Sequence, residues 1–411
     1  MSIDKNFERL DSYKQLIMPV EKPLPAVIKR AYDCYLVDSN DREYLDFSAG
    51  LAVNLLGYSN DEVRQVIKEA ADSLIHCGSE LVNEANVDLA GLLKSMSGFD
   101  SFFFSNSGSE ANEAAIKLAR KYASVVGNEN KTKLVSFKGS FHGRSLLNIS
   151  ASGNPKHCEG FAPLVTNIVH ADFNDIKSLI SSIDHEVSAV IIETIQCRGG
   201  MREITEQFVN TLNKLRQEFK FLTIVDEVQT GTFRLNSLLS YSDYAIEADI
   251  VTLGKGIGGG LPIGITATTR EIGRHLSTGS HGSTFGGGPL ISSVALKVLK
   301  IISSEKFSEI MYDSSHYLRS RLVALRDIYP ESVGDIVSRG MLFGFSLTGP
   351  ASGRALEIEQ IAFTNGLIIR ISGDNTIRLT PPLCITRSHI DSAFDILKKS
   401  FNDLLTLRIT Q

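Results

Sequence analysis

Between positions 101 and 268 the chain alternates short apolar runs with stretches of helical spacing, and this alternation limits the fold more than any other feature. The runs fall at 102–104, 134–137, 189–192, 221–225, 250–253 and 263–268, and each ends in a polar or glycine-rich group. Strand-like runs alternating with helical segments predict an α/β fold, a mostly parallel central sheet with helices on both faces. Ligands of such sheets lie outside the carboxyl ends of the strands, so these endings are expected to converge on one cleft.

The flanking segments read differently. Residues 1–25 are polar with prolines at 19, 23 and 25, which predicts an arm without regular structure. Short strands are expected at 26–28, 34–38 and 43–47, forming a small sheet, then a glycine-containing loop over 48–57 and helices over 60–77 and 85–97. A long helical stretch at 289–330 leads to short strands at 342–347, 367–371 and 376–379 and a closing helix at 388–405. The expected division is an arm and part of a small domain over 1–50, a large α/β domain over 51–305, and a smaller α+β domain over 306–411.

Composition narrows the function classes. Apolar residues make up 43% and charged residues 22%, and no run approaches the roughly 18 apolar residues of a membrane helix. The first residues contain no signal-peptide core, so a cytoplasmic protein without membrane contact is expected. A net charge of −5 without a basic block argues against nucleic acid. The five cysteines are scattered and odd in number, with no C-x-x-C, so they are read as reduced thiols with neither disulfides nor a metal site.

Chemistry concentrates after the strands. Lys255 follows the run at 250–253 and opens a glycine-rich loop. A lysine at the mouth of a buried strand loses hydration, which frees its amine to form a Schiff base with a carbonyl. Ser107, Gly108 and Ser109 begin a helix after the run at 102–104, with S-x-x-E spacing to Glu110. That pattern suits either a phosphate at the helix start or an ordinary capped helix. Phe141 offers an aromatic face and Arg144 a guanidinium for a carboxylate, although each has a plain packing or surface reading too. Asp226 ends a buried β-branched strand and needs a cationic partner, either a protonated pyridine nitrogen or a structural Arg or Lys. His142 is given a packing role.

A phosphate cup, an aromatic plate, a strand-end aspartate and a strand-end lysine together suit pyridoxal 5′-phosphate. In order and spacing the chain resembles the class III aminotransferases of the acetylornithine, ornithine and 4-aminobutyrate type, over nearly its whole length. The resemblance rests on Asn106-Ser107-Gly108-Ser109-Glu110-Ala111-Asn112, Phe141-His142-Gly143-Arg144, Asp226-Glu227-Val228-Gln229-Thr230-Gly231, Gly254-Lys255-Gly256-Ile257-Gly258-Gly259-Gly260-Leu261-Pro262 and His281-Gly282-Ser283-Thr284-Phe285-Gly286-Gly287. It implies the PLP-dependent transferase type I fold and a transaminase working between a small-molecule amino donor and an oxo acceptor, with glutamate and 2-oxoglutarate as the default pair. Lys255 would carry the cofactor and shuttle the substrate proton. Asp226 would bind the ring nitrogen, Gln229 the phenolic oxygen side, Ser107, Gly108 and Ser109 the phosphate, and Phe141 with His142 the ring, with Glu193 beside it. Thr284 would reach the cofactor of the other subunit, implying a homodimer with shared active sites. Arg144 and Arg378 match arginines that hold substrate carboxylates.

Departures fall on the substrate side. The family's usual Glu-Pro-Ile-Gln-Gly-Glu-Gly-Gly is here Glu193-Thr194-Ile195-Gln196-Cys197-Arg198-Gly199-Gly200. In relatives the second Glu masks the arginine that Arg378 matches. With Arg198 in its place, either Arg378 stays available throughout or Arg198 adds a second cation for an anionic substrate. Glu21 aligns near an aromatic residue of ornithine-handling relatives, which favours an amine or polyhydroxy amine. A specialised biosynthetic amine, amino-sugar or amino-acid substrate is therefore expected. Family racemases and aminomutases would keep the cofactor without the transfer. A non-catalytic PLP-fold binding protein would need neither Lys255 nor Asp226, and both are intact.

Overall fold

The computed structural model describes residues 5–126 and 129–406. The chain forms two compact units, Met1–Asp61 with Glu305–Gln411, and Glu62–Ser304.

The larger unit is built on a seven-stranded sheet: β1 (Ser101–Ser105), β2 (Lys133–Phe137), β3 (Ile168–Ala171), β4 (Val187–Ile192), β5 (Leu222–Asp226), β6 (Ile250–Gly254) and β7 (Gly264–Thr268), in the order β1-β7-β6-β5-β4-β2-β3. All six anticipated runs are strands, and β3 is an additional edge strand whose short half-buried sequence carries little strand signal. β7 is antiparallel to both neighbours, whereas the other neighbouring pairs are parallel. This corrects the expectation that every strand ending meets in one cleft, since β7 brings its start, Gly264, to that edge. The segment between β6 and β7 is too short for a crossover of a dozen or more residues, so the chain returns as a hairpin-like pair.

Every residue of β4, β5 and β6 is buried, as continuous apolar runs in a covered sheet require. The Gly108–Val126 helix lays Ala115, Ile116, Leu118 and Ala119 against Leu134, Ala189, Ile191, Leu222, Ile224 and Ile250. Small alanines on that face let the helix come close to the sheet. The same burial leaves any polar group at the ends of these strands dependent on protein partners.

The smaller unit holds two four-stranded sheets. In one, Ile28–Tyr32, Tyr35–Asp38 and Glu43–Asp46 form an antiparallel meander joined in parallel by Leu367–Ile368. In the other, Val333–Arg339, Leu342–Leu347, Thr376–Leu379 and Arg370–Ser372 are antiparallel. The N-terminal arm departs from expectation by starting with a helix, Lys5–Leu16. Its prolines all follow that helix, so they limit where it ends and do not prevent it; residues 1–4 of the arm lie outside the described residues. The expected 289–330 helix is broken at Ser303 and Ser304 into Pro289–Ile302 and Glu305–Ile328. All five cysteines are free, but Cys34 and Cys384, distant in sequence, meet in this unit. Among the described residues no helix is long and apolar enough to cross a membrane.

Candidate active site

The carboxyl ends of β1, β2, β4, β5 and β6 deliver residues 107–109, 141–144, 193, 226 with 229, and 255, in that order. Asp226 is the last residue of β5 and is buried. Its Oδ2 accepts from Nδ1 of His142 at 2.8 Å and from Nδ2 of Asn112 at 2.7 Å, and its Oδ1 accepts from the Val228 amide at 3.0 Å. Asn112 also donates to the His142 carbonyl at 2.9 Å and accepts from the Thr252 hydroxyl at 2.6 Å. His142 is completely buried, which opposes its charge, but the Asp226 carboxylate outweighs burial and raises its pKa above the ordinary histidine value. The protein partner of Asp226 is thus an imidazole, neither the Arg nor the Lys that the strand pattern suggested. His142 is correspondingly more than packing.

Lys255 begins a single 3-10 turn directly after β6 and has a φ of 46°. Positive φ is uncommon for a residue with a Cβ and costs on the order of 1–2 kcal/mol, so the turn holds the lysine in a conformation it would otherwise leave. Its Nζ donates to Oε1 of Gln229 at 2.6 Å. The Nε2 of Gln229 is buried without a hydrogen-bond partner, as is Nε2 of His142. Glu193 follows β4, accepts from the Phe141 amide at 3.1 Å, and has its pKa pushed up to about 7 by burial, against the pull of His142.

The helix start after β1 forms a cup. The Ser107 hydroxyl accepts from the Glu110 amide at 3.2 Å, and the Glu110 carboxylate takes the Asn106 amide at 2.7 Å. The first-turn amides at Gly108 and Ser109 point out of the helix end, where an anion is favoured. The Ser109 hydroxyl accepts from Nδ2 of buried Asn148 at 2.7 Å and from the Arg144 amide at 3.3 Å. Gly143, at φ 131°, makes that approach feasible: a Cβ there would lie 2.2 Å from Oγ of Ser109.

Phe141 is half-buried and carries two guanidinium groups, Arg144 at 5.3 Å and Arg198 at 5.2 Å from its ring centre. The His157 ring meets it edge-on at 6.0 Å, and burial together with the two arginines lowers the His157 pKa, favouring the neutral ring. Arg198 sits in the turn between the paired strands Ile195–Gln196 and Arg202–Glu203. Gln196 anchors that hairpin by donating to the Lys138 carbonyl at 3.1 Å and the Ser140 hydroxyl at 3.0 Å.

Thr284 is exposed in the larger unit, in a segment that the neighbouring Ser283 ties to Asn106 at 3.2 Å. Glu21 and Arg378 belong to the smaller unit. Glu21 is exposed, whereas Arg378 is buried on the strand Thr376–Leu379 near Glu359, whose pKa burial raises against the pull of Arg370 and, less, of Arg378. Sequence reasoning missed Asn112, Thr252 and Asn148. Asn112 had a usable signal, a polar residue at the helical spacing of the buried alanine face.

These groups fit pyridoxal phosphate: amides for a phosphate, a buried carboxylate for a cationic ring nitrogen, an amine for the aldehyde, and an orphan Gln229 amide donor for an oxygen. The comparisons with known proteins agree. The family model Aminotransferase class-III matches residues 17–401. The ornithine aminotransferase of Toxoplasma gondii is 26% identical with a TM-score of 0.92, covering 99% of this chain and 96% of its own, and its structure holds PLP at partial occupancy in the active site. A Bacillus anthracis aminotransferase is 26% identical with a TM-score of 0.90, covering 98% of this chain and 100% of its own. The N-acetylornithine aminotransferase of Stenotrophomonas maltophilia is 27% identical with a TM-score of 0.83, covering 96% of this chain and 99% of its own. The chain belongs to the class-III aminotransferases.

Proposed function

We propose that this transaminase takes the amino group of a primary amine or ω-amino acid and delivers it to an oxo acid, with glutamate and 2-oxoglutarate as the reference pair. The observation that carries the reading is the Lys255–Gln229 contact of 2.6 Å beside the buried Asp226–His142–Asn112 network. When bound, pyridoxal phosphate supplies a protonated ring that accepts the negative charge developing on the donor carbon. Asp226 keeps a carboxylate beside the ring nitrogen, and His142 with Asn112 fixes that carboxylate's orientation. Lys255 holds the cofactor and then takes and returns the donor proton at Nζ, while Gln229 positions the amine. Gly108 and Ser109 bind the phosphate through their amides.

Arg144 and Arg198, gathered on Phe141, support a donor or acceptor with an anionic group. Arg378 and Glu21 belong to the same reading as substrate-side residues. So do a cytoplasmic setting and a homodimer in which Thr284 serves the partner's cofactor. The exposure of Leu81, Val82 and Phe285 in the larger unit supports the dimer.

Borohydride reduction of the cofactor-loaded protein, followed by peptide mass spectrometry, tests the attachment. A pyridoxyl group on Lys255 is expected, and its absence there refutes the reading. A panel of donors scored by glutamate formed from 2-oxoglutarate tests the transfer. Donor racemisation without glutamate would remove it.

A further inference from the structure

We propose that Cys34 and Cys384 are a thiol pair that exchanges with small-molecule disulfides, closing reversibly into an intramolecular disulfide, with Cys384 as the attacking sulfur and Cys34 as the resolving one. Nothing in the transamination chemistry uses these residues, and both lie in the smaller unit.

The two thiols are close enough for each to shift the other's titration, while the Cys34 thiol donates to Oδ1 of Asp33. Backbone bonds hold both positions: the Tyr58 amide donates to the Asp33 carbonyl at 2.6 Å, and the Leu383 amide donates to the Leu55 carbonyl at 2.7 Å. Between them stands Gly57, at φ 71°, where a Cβ would lie 2.5 Å from the Asp33 oxygen and 3.2 Å from the Cys384 sulfur. A larger residue there would push the two segments apart.

Access and acidity separate the roles. Cys384 is partly exposed and Cys34 is buried. The neighbouring Cys34 thiol lowers the Cys384 pKa, whereas Cys384 and burial raise that of Cys34, so the reachable sulfur is also the one richer in thiolate. Asp33 Oδ1 lies 3.5 Å from the Cys34 sulfur and can take its proton.

Asp33, Cys34 and His389 place ligand-type atoms within 4.8 Å of one another, which also raises the question of a metal. The histidine argues against it. The Thr386 amide donates to Nδ1 of His389 at 3.2 Å, which leaves Nε2–H to donate a hydrogen bond to Asp33 at 3.2 Å. An imidazole with Nδ1 and Nε2 both engaged has no lone pair for an ion, whereas thiol exchange needs none.

The exchange balances in two steps. The Cys384 thiolate, its proton released to solvent, attacks one sulfur of the external disulfide, whose S–S bond breaks to release one thiolate. Cys34 then passes its proton to Asp33 and attacks the Cys384 sulfur, releasing the second thiolate. The pair loses two electrons and two protons, and the external disulfide becomes two thiols.

The test uses the full-length, cofactor-loaded protein with hydroxyethyl disulfide as the probe, then alkylation, non-reducing digestion and mass spectrometry. Expected are a Cys34–Cys384 linked peptide, two fewer titratable thiols, and reversal by dithiothreitol. C34S should trap the hydroxyethylthio group on Cys384, and C384S should leave Cys34 unmodified. Reagent taken up only at Cys77, Cys158 or Cys197 in the unsubstituted protein overturns the pair. Cys34 reacting at an unchanged rate in C384S overturns the order of attack.

Discussion

His142 and Asp226 are joined at 2.8 Å through Nδ1 and Oδ2, with both side chains closed off from solvent. A buried carboxylate whose partner is removed is strongly destabilising, by about 3 kcal/mol or more. His142→Leu is therefore expected to lower the thermal midpoint and the affinity for pyridoxal phosphate together. Asn112→Leu, which leaves the imidazole in place, should do less. Equal losses in thermal melts and cofactor titrations would show that the imidazole has no special part in holding the carboxylate.

Gln229 presents a neutral oxygen to Lys255 at 2.6 Å. In Gln229→Glu that oxygen becomes a carboxylate, which favours the charged amine. Capture of the cofactor needs the neutral amine, so the pH at which Lys255 is half-loaded should rise by roughly 1–2 units. Absorbance titration of the apoprotein with cofactor across pH reads this shift, and an unmoved midpoint would count against the contact.

Gly143 touches the cup from the opposite side. An alanine there meets Ser109 at 2.2 Å and must adopt a φ of 131°. Strain of this kind costs on the order of 1–3 kcal/mol. Gly143→Ala is expected to weaken cofactor retention by roughly tenfold to a hundredfold, measured by equilibrium dialysis, with little change in circular dichroism.

What the sequence made legible is what repeats or punctuates. The buried runs of β4, β5 and β6 predicted a covered sheet, and the polar residue ending each placed Glu193, Asp226 and Lys255 at one edge. The direction of β7 was hidden because its composition matches a parallel strand; only the brevity of the preceding loop betrays it. Asn112 and Thr252 were hidden for another reason. Each lies inside an element, and only pairing in three dimensions brings them to Asp226. The Cys34–Cys384 contact depends on how far-separated segments fold together, which spacing alone does not encode.

The Arg198 guanidinium shares the Phe141 ring with Arg144. Hydrogen bonds to charged groups contribute about 1.5–3 kcal/mol. Arg198→Glu should lower kcat/KM for anionic donors by roughly tenfold to a hundredfold while sparing neutral amines. Glu21→Ala provides the complementary measurement, with weaker selection for amines as the expected result. A donor panel run on both variants decides, and unchanged preference in each would remove them from the substrate site.

Glu227 follows Asp226 and turns away from the chemistry into a nest of donors. Its carboxylate accepts from the Tyr241 amide at 2.7 Å, the Ser240 hydroxyl at 2.8 Å and the Thr230 hydroxyl at 2.7 Å. Burial nevertheless dominates those bonds and pushes its pKa up to about 7, from 4.5. Between these values the folded protein keeps a proton that the unfolded chain has released. Stability from this group is therefore present at pH 4.5 and is lost as pH rises toward 7, by an amount on the order of 3 kcal/mol. Glu227→Gln cannot release a proton, and the hydroxyls of Ser240 and Thr230 can turn to accept from its amide. The variant should lose that fall in denaturant-derived stability between pH 5 and pH 7.5 and should exceed the unsubstituted protein at the upper end. Parallel pH profiles for the two proteins would show that the carboxyl group titrates alike in the folded and unfolded chains.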